Sequence, residues 1–189
     1  MLYYHMKEPA VRVLGPGLRY CLWVQGCARR CPGCVAREAW DMRAGKPIEE
    51  EALSWEIALS GAEGLTVSGG EPFLQAEALA RLIRSVRQKK DMDVIVYTGN
   101  TYEALAADPA AAPLLRQTDL LIDGEYIREL DDGKGLRGSS NQRAIPLNAR
   151  GEALLALWAR QARCREVFRH GAEVHEVGLP GDAHSQTES

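Results

Sequence analysis

Apolar and polar positions alternate along this chain in two rhythms. Residues 18–25 form a run rich in aromatic and β-branched side chains, predicting a strand. Short apolar runs at residues 65–68, 94–97 and 120–122 predict three more, each ending in small or polar residues: Gly69-Gly70-Glu71-Pro72, Thr98-Gly99-Asn100 and Asp123-Gly124. Helical spacing occupies the intervals. Leu53 and Ile57 mark a helix over residues 48–59, and Ala78, Leu79, Leu82, Ile83 and Val86 share one face of another over residues 75–89. Residues 35–42 are predicted as a short helix, and residues 101–107 and 110–116 as helical turns broken by Pro109 and Pro113. Before all this, residues 1–17 read as a lead-in with at most a short strand at 11–14. A further strand is expected at 144–147, a helix at 152–162, and a hairpin of 165–169 with 173–178 turning at His170-Gly171. Strands alternating with helices predict an α/β fold with a parallel sheet and right-handed crossovers. In such sheets ligands bind beyond the carboxyl ends of the strands.

Composition narrows this little. The chain has 189 residues, enough for one ordinary domain, expected over residues 1–180, with residues 181–189 expected to be a disordered tail. A net charge of −3 leaves no basic footprint, so neither a nucleic acid nor an anionic membrane is expected as partner. No apolar run reaches the ~20 residues of a membrane span, and the first residues lack a signal-peptide pattern. Five cysteines without such a signal point to a reducing, cytoplasmic setting and to metal ligation.

Three of those cysteines carry the candidate chemistry. Cys27, Cys31 and Cys34 stand in a loop broken by Gly26, Pro32 and Gly33. Their thiolates are soft, charged ligands suited to an iron–sulfur cluster or zinc. A cubane cluster takes one thiolate per iron, so three would leave one iron open to a small molecule. Spacing alone also admits a structural zinc completed by His5, His170, His175, His184, Cys21 or Cys164, and a redox disulfide between Cys31 and Cys34. Cys21, inside a strand-like run, and Cys164 are expected to be packed or idle thiols. Residues 128–143 are glycine-rich and polar, ending Arg137-Gly138-Ser139-Ser140-Asn141-Gln142-Arg143, and read as a functional loop or a plain solvated connection.

The triple-cysteine loop after one strand and Gly-Gly-Glu-Pro after the next resemble the radical S-adenosylmethionine superfamily. Within it, the cysteine loop with Trp40, Tyr97-Thr98-Gly99, Asp123-Gly124 and the 137–143 segment are similar to the activating enzymes of anaerobic ribonucleotide reductase. The likeness spans about residues 18–147. The chain departs from the pattern at Val35, at Glu125, where some relatives carry lysine, and in its extension beyond Leu147.

The resemblance implies a partial, open radical SAM β/α barrel with a C-terminal helix-hairpin extension. It implies a [4Fe–4S] cluster on Cys27, Cys31 and Cys34, with S-adenosylmethionine on the open iron. Gly69, Gly70, Glu71 and Pro72 would receive its methionyl end, Glu71 accepting from the ammonium; the plainer role for Glu71 is an acidic group at a helix start. Thr98, Asn100 and Asp123 would meet ribose or methionine, or else serve as turn and cap residues. Arg143 would pair with a carboxylate of S-adenosylmethionine or of a substrate, or else be a surface arginine. Arg29, Arg30 and Arg37 would dock an acidic electron donor of the flavodoxin or ferredoxin type, or form a solvated charge run. The implied activity is that of an oxidoreductase: reductive cleavage of S-adenosylmethionine to methionine and a 5′-deoxyadenosyl radical, which takes hydrogen from a glycine of a partner glycyl-radical enzyme. The alternatives are the same chemistry on a peptide or small molecule, with the extension as a lid, and a non-catalytic zinc or iron–sulfur interaction module.

Overall fold

The computed structural model describes residues 1–179; the expected tail at 181–189 lies outside the described residues. Nine strands and five α-helices follow in the order β1 (Leu2–Val11), β2 (Arg19–Val24), β3 (Lys46–Ile48), α1 (Glu50–Leu59), β4 (Gly64–Gly69), α2 (Ala76–Lys89), β5 (Asp93–Tyr97), α3 (Tyr102–Ala107), α4 (Ala112–Leu115), β6 (Leu120–Asp123), β7 (Arg143–Pro146), α5 (Ala149–Trp158), β8 (Arg165–His170) and β9 (Glu173–Gly178) among the described residues.

Seven strands form an open sheet in the order β3-β1-β2-β4-β5-β6-β7. The parallel expectation holds for β2, β4, β5 and β6. It is corrected on both flanks, where β1, β3 and β7 pair antiparallel. Residues 12–18 are too few for the dozen or more that a parallel crossover needs, so β1 can only double back along β2. From β6 to β7 the chain runs through loop and a single 3-10 turn, Arg128–Leu130, with no crossover helix. The long first strand replaces the expected lead-in.

Side-chain alternation divides the sheet between two layers. Tyr20, Leu22 and Val24 of β2 and Leu121 of β6 enter one core with Leu53, Ile57, Leu79, Leu82, Ile83, Leu105 and Leu114 of α1–α4. Their strand neighbours face the other way. Ile95, Leu120 and Ile122 pack with Leu154 and Trp158 of α5. Cys21 and Trp23 pack with Val11, Val13, Leu14 and Val177, so the β8–β9 hairpin closes this second layer. Burial pushes the Cys21 thiol up to about 12, as a packed thiol requires.

A buried arginine locks the sheet at its other end. Arg19 donates to Thr66 Oγ1 at 2.6 Å and pairs with Asp93 at 2.6 Å. The ends at Val24, Gly69, Tyr97 and Asp123 are left to carry the site.

Candidate active site

The four parallel strands deliver their carboxyl ends to one edge, and a cavity of about 1030 Å³ opens there. Its wall includes all three loop cysteines, Cys27, Cys31 and Cys34, together with Gly69, Gly70, Glu71, Thr98 and Gly99. All three thiols are free, as are buried Cys21 and exposed Cys164, neither of which lines the cavity.

The cysteine loop is clamped at its neck. Gly26 N donates to Ala39 O at 2.8 Å and Cys27 N to Trp40 O at 3.1 Å. The Gln25 side chain donates to Glu38 O and Asp41 O. The expected helix at 35–42 is instead a single 3-10 turn, Arg37–Ala39, with the carbonyls from Glu38 to Asp41 taken up by these bonds to the loop neck. Arg37 stacks on Trp40 at 6.0 Å.

The Gly-Gly-Glu end of β4 docks directly on this neck. Gly70 N donates to Val24 O at 2.8 Å, and Glu71 N to Gly26 O at 2.7 Å. A Cβ on Gly70 would overlap the Gly26 carbonyl oxygen. At Gly69, φ is +99°, and a Cβ would lie 2.6 Å from Val24 N. Both glycines are thus needed for chain packing, whatever binds beside them.

Glu71 is 6 % exposed, and its carboxylate is already well supplied. It accepts from Phe73 N at 3.0 Å, Thr98 Oγ1 at 2.8 Å and Gly99 N at 3.0 Å. It caps the 3-10 turn Pro72–Gln75, which Pro72 opens. Arg29, exposed on the cysteine loop, reaches the strand ends, with Nε 4.0 Å from Glu71 and its guanidinium donating to Asn100 Oδ1.

Pro72, Asn100, Asp123 and Arg143 do not line the cavity. Asp123 is 1 % exposed, accepts from Tyr102 N at 2.7 Å, and is gripped by Arg143 through Nε at 3.0 Å and a second guanidinium nitrogen. Arg143 also binds Glu103, and these two carboxylates hold its pKa above the usual arginine value. Asn100 O accepts from Gly124 N at 2.9 Å, tying the ends of β5 and β6.

Residues 124–142 supply the cavity wall with Gly138 and Gln142, from the glycine-rich loop singled out in the sequence, and with three residues that no motif marked, Tyr126, Arg128 and Asp131. A Cβ on Gly33 would meet Arg128 Nε at 2.5 Å, so this guanidinium lies against the cysteine loop. Glu125 Oε1 stands 3.5 Å from Cys31 Sγ. Burial first, and the Glu125 charge second, push the Cys31 thiol up to about 11. Any metal ligation by Cys31 must strip that proton, since only the thiolate ligates. Glu125 was visible in sequence as a departure, with nothing to aim it at a cysteine.

Residues 13–145, about seven-tenths of the chain, match the family model described as a 4Fe-4S single cluster domain. The chain is 35% identical over 148 residues to the anaerobic ribonucleoside-triphosphate reductase-activating protein of Vibrio cholerae, spanning 74% of this chain and 94% of that one. This chain belongs to that 4Fe-4S family of activating proteins. Proteins of the same name from Enterobacteria phage T4 (33% over 146 residues, 74% of this chain and 91% of that one) and Escherichia coli K12 (30% over 148 residues, 74% and 95%) are also similar. The family match covers residues 13–145, so β1, α5 and the β8–β9 hairpin lie outside it. The donor set suits the family's cofactor: three free thiols share one cavity wall.

Proposed function

We propose that this family member is a radical S-adenosylmethionine enzyme that sets a glycyl radical on an anaerobic ribonucleotide reductase, using a [4Fe–4S] cluster held by Cys27, Cys31 and Cys34. The observation that carries the reading is the sharing of one cavity wall by three free cysteines and the Gly69-Gly70-Glu71 strand end. Residues 1–180 act as one domain, a partial, open radical SAM barrel. When bound, the cluster and S-adenosylmethionine supply one-electron cleavage of the sulfonium and a 5′-deoxyadenosyl radical.

The protein's part is positioning. Glu71 receives the methionyl ammonium, and the backbone at Gly69 and Gly70 presents polar groups to the methionyl end. Thr98 fixes the Glu71 carboxylate from behind. Asn100, Asp123 and Arg143 act at one remove, holding the ends of β5 and β6 in register, and Pro72 fixes the turn that Glu71 caps. Arg30 and Arg37, exposed beside the cysteine loop, face an acidic flavodoxin- or ferredoxin-type donor.

The test begins with anaerobic reconstitution. About four irons and four sulfides per chain are expected. Cys27→Ala, Cys31→Ala and Cys34→Ala each lose the cluster absorbance and the release of 5′-deoxyadenosine, whereas Cys21→Ala and Cys164→Ala keep both. With the reductase present, electron paramagnetic resonance shows a carbon-centred radical whose splitting collapses when glycine is α-deuterated. An intact cluster with no 5′-deoxyadenosine sinks the proposal.

One observation favours a second reading. Residues 173–179 of the hairpin form part of the cavity wall, as a lid over a peptide or small molecule would. Consumption of such a substrate in step with 5′-deoxyadenosine, and no protein radical, would establish it.

A further inference from the structure

Outside the cysteine loop, one other group of side chains among the described residues has the composition of a metal centre. Glu8 of β1, His170 at the end of β8 and His175 in β9 bring one ligand atom each within 4.8 Å of one another. We infer that these three residues bind a divalent first-row transition-metal ion, with zinc as the test ion, and that this ion fastens the hairpin to the sheet beside the cluster cavity.

Glu8 is 2 % exposed, facing the second layer opposite Cys21. Its carboxylate meets His170 Nε2 at 2.7 Å. Buried carboxylates are stable when paired or when they hold a metal. His175 has a buried Nδ1 with no hydrogen-bond partner among the described residues. An imidazole nitrogen left so is a cost that hairpin packing does not explain. The two rings lie 5.5 Å apart, tilted by 51°, so they do not stack face to face and their nitrogens are free to converge. Glu173 adds a second carboxylate 3.6 Å from His175 Nε2, which raises the site's attraction for a cation.

Two imidazoles and a carboxylate are a donor set for zinc or another divalent ion of its row, leaving coordination positions for water or Glu173. Ligand atoms about 2.0–2.2 Å from one ion stand roughly 3–3.5 Å apart, so the present spread closes by side-chain rotation. The hairpin has reason to need the ion. An isolated two-stranded hairpin is marginal in water. This one is fastened by Val177 and Phe168 in the second layer, and by Glu166 accepting from Arg12 N at 2.8 Å. His170 and Glu173–Leu179 also line the cavity, so an ion here sets the position of one of its walls.

The site shares no residue with the cysteine loop, so it stands or falls apart from the proposed function. The test uses Cys164→Ser chain whose three loop cysteines are already filled by reconstitution with iron and sulfide, then equilibrated with zinc and desalted. One zinc per chain is expected beyond the cluster's iron. His170→Ala and His175→Ala each lose it with iron and sulfide unchanged, and Glu8→Gln weakens zinc by more than the ~10–100-fold that an outer-shell change costs. Val174→Ala, a neighbouring exposed hairpin position, controls for loosening of the hairpin and keeps the zinc. Cobalt in place of zinc shows nitrogen and oxygen but no sulfur neighbours at the cobalt X-ray absorption edge. The proposal is overturned if the wild type retains no zinc, if the histidine variants retain as much, if Val174→Ala loses it equally, or if cobalt shows thiolate ligation.

Discussion

Replacing Gly70 by alanine tests whether the two halves of the site are one mechanical unit. The new methyl group would run into the Gly26 carbonyl, at the neck of the cysteine loop. Gly70 is not among the positive-φ glycines, so the effect is one of space and not of backbone conformation. Both sides of the clash are backbone and cannot rotate away. The chain must part there, stretching Glu71 N to Gly26 O (2.7 Å) and Gly70 N to Val24 O (2.8 Å). Overpacking costs about 1–3 kcal/mol, and a strained or lost hydrogen bond about 0.5–1 kcal/mol more each. The total is about 2–5 kcal/mol. Gly61→Ala is the control: φ is +80° and nothing lies within 4 Å, so it should cost only the left-handed strain of about 1–2 kcal/mol.

Urea unfolding of cluster-free protein, monitored by far-UV circular dichroism, measures both. At a slope of about 2 kcal/mol per molar, the Gly70→Ala midpoint falls by about 1–2.5 M and that of Gly61→Ala by less than about 1 M. Reconstituted iron should fall in Gly70→Ala, because the methyl displaces the neck on which the cysteines stand. Midpoints within about 0.3 M of each other, with full iron in both, would refute the reasoning: the contact would then relax freely, and the glycine would be required by something bound in the cavity.

Two further outcomes follow from buried groups. Asp123→Ala leaves the Tyr102 N–H and the Arg143 guanidinium without their shared acceptor and should cost about 1–3 kcal/mol in the same assay, with Asp123→Asn recovering only the part due to Tyr102 N. The Cys21 thiol, raised to about 12 by burial, should resist alkylation at pH 8 until the chain unfolds, while exposed Cys164 reacts at once. Because the folded value exceeds the unfolded one, the stability linked to Cys21 is complete below about pH 8.5 and is lost as pH rises toward 12. Native-state labelling of Cys21 at pH 8 would contradict this burial.

Much of the fold was legible because the central strands are short, apolar on both faces and separated by helices at helical spacing. Residues 65–68, 94–97 and 120–122 sit within β4, β5 and β6. The first strand was not legible. Pro9 and two irregularities in its pairing break the alternation by which a strand is recognised. The expected helix at 152–162 begins earlier, at Ala149, because the Asn148 side chain accepts from Gly151 N and caps it. In the site, sequence placed the right residues at strand ends but could not tell which sit on the cavity wall. Thr98 does, while the Asn100 side chain is spent on Arg29 and Thr98, and that of Asp123 on Tyr102 N and Arg143. Arg128 escaped notice, and Glu125 was noted only as a departure, because loop 124–142 has no periodicity to aim them.

Glu71 shows why a residue at such a site can serve structure and chemistry together. As a cap it satisfies Phe73 N; as a brace it holds Thr98 and Gly99, joining the ends of β4 and β5. A carboxylate offers about four acceptor directions, and these donors use three. Arg29 approaches a fourth, but Nε at 4.0 Å is too distant for a hydrogen bond. One direction therefore stays open to a cationic donor, and a compact ammonium could take it without breaking the bonds that hold the strand ends. The two roles read for Glu71 in the sequence, a cap and an acceptor for an ammonium, are for that reason compatible. Substituting Glu71 should disturb the positions of Thr98 and Gly99 as well as any ligand, so binding lost in Glu71→Ala cannot by itself be assigned to a missing ligand contact. Thr98→Val separates the two, since it removes the brace and leaves the carboxylate.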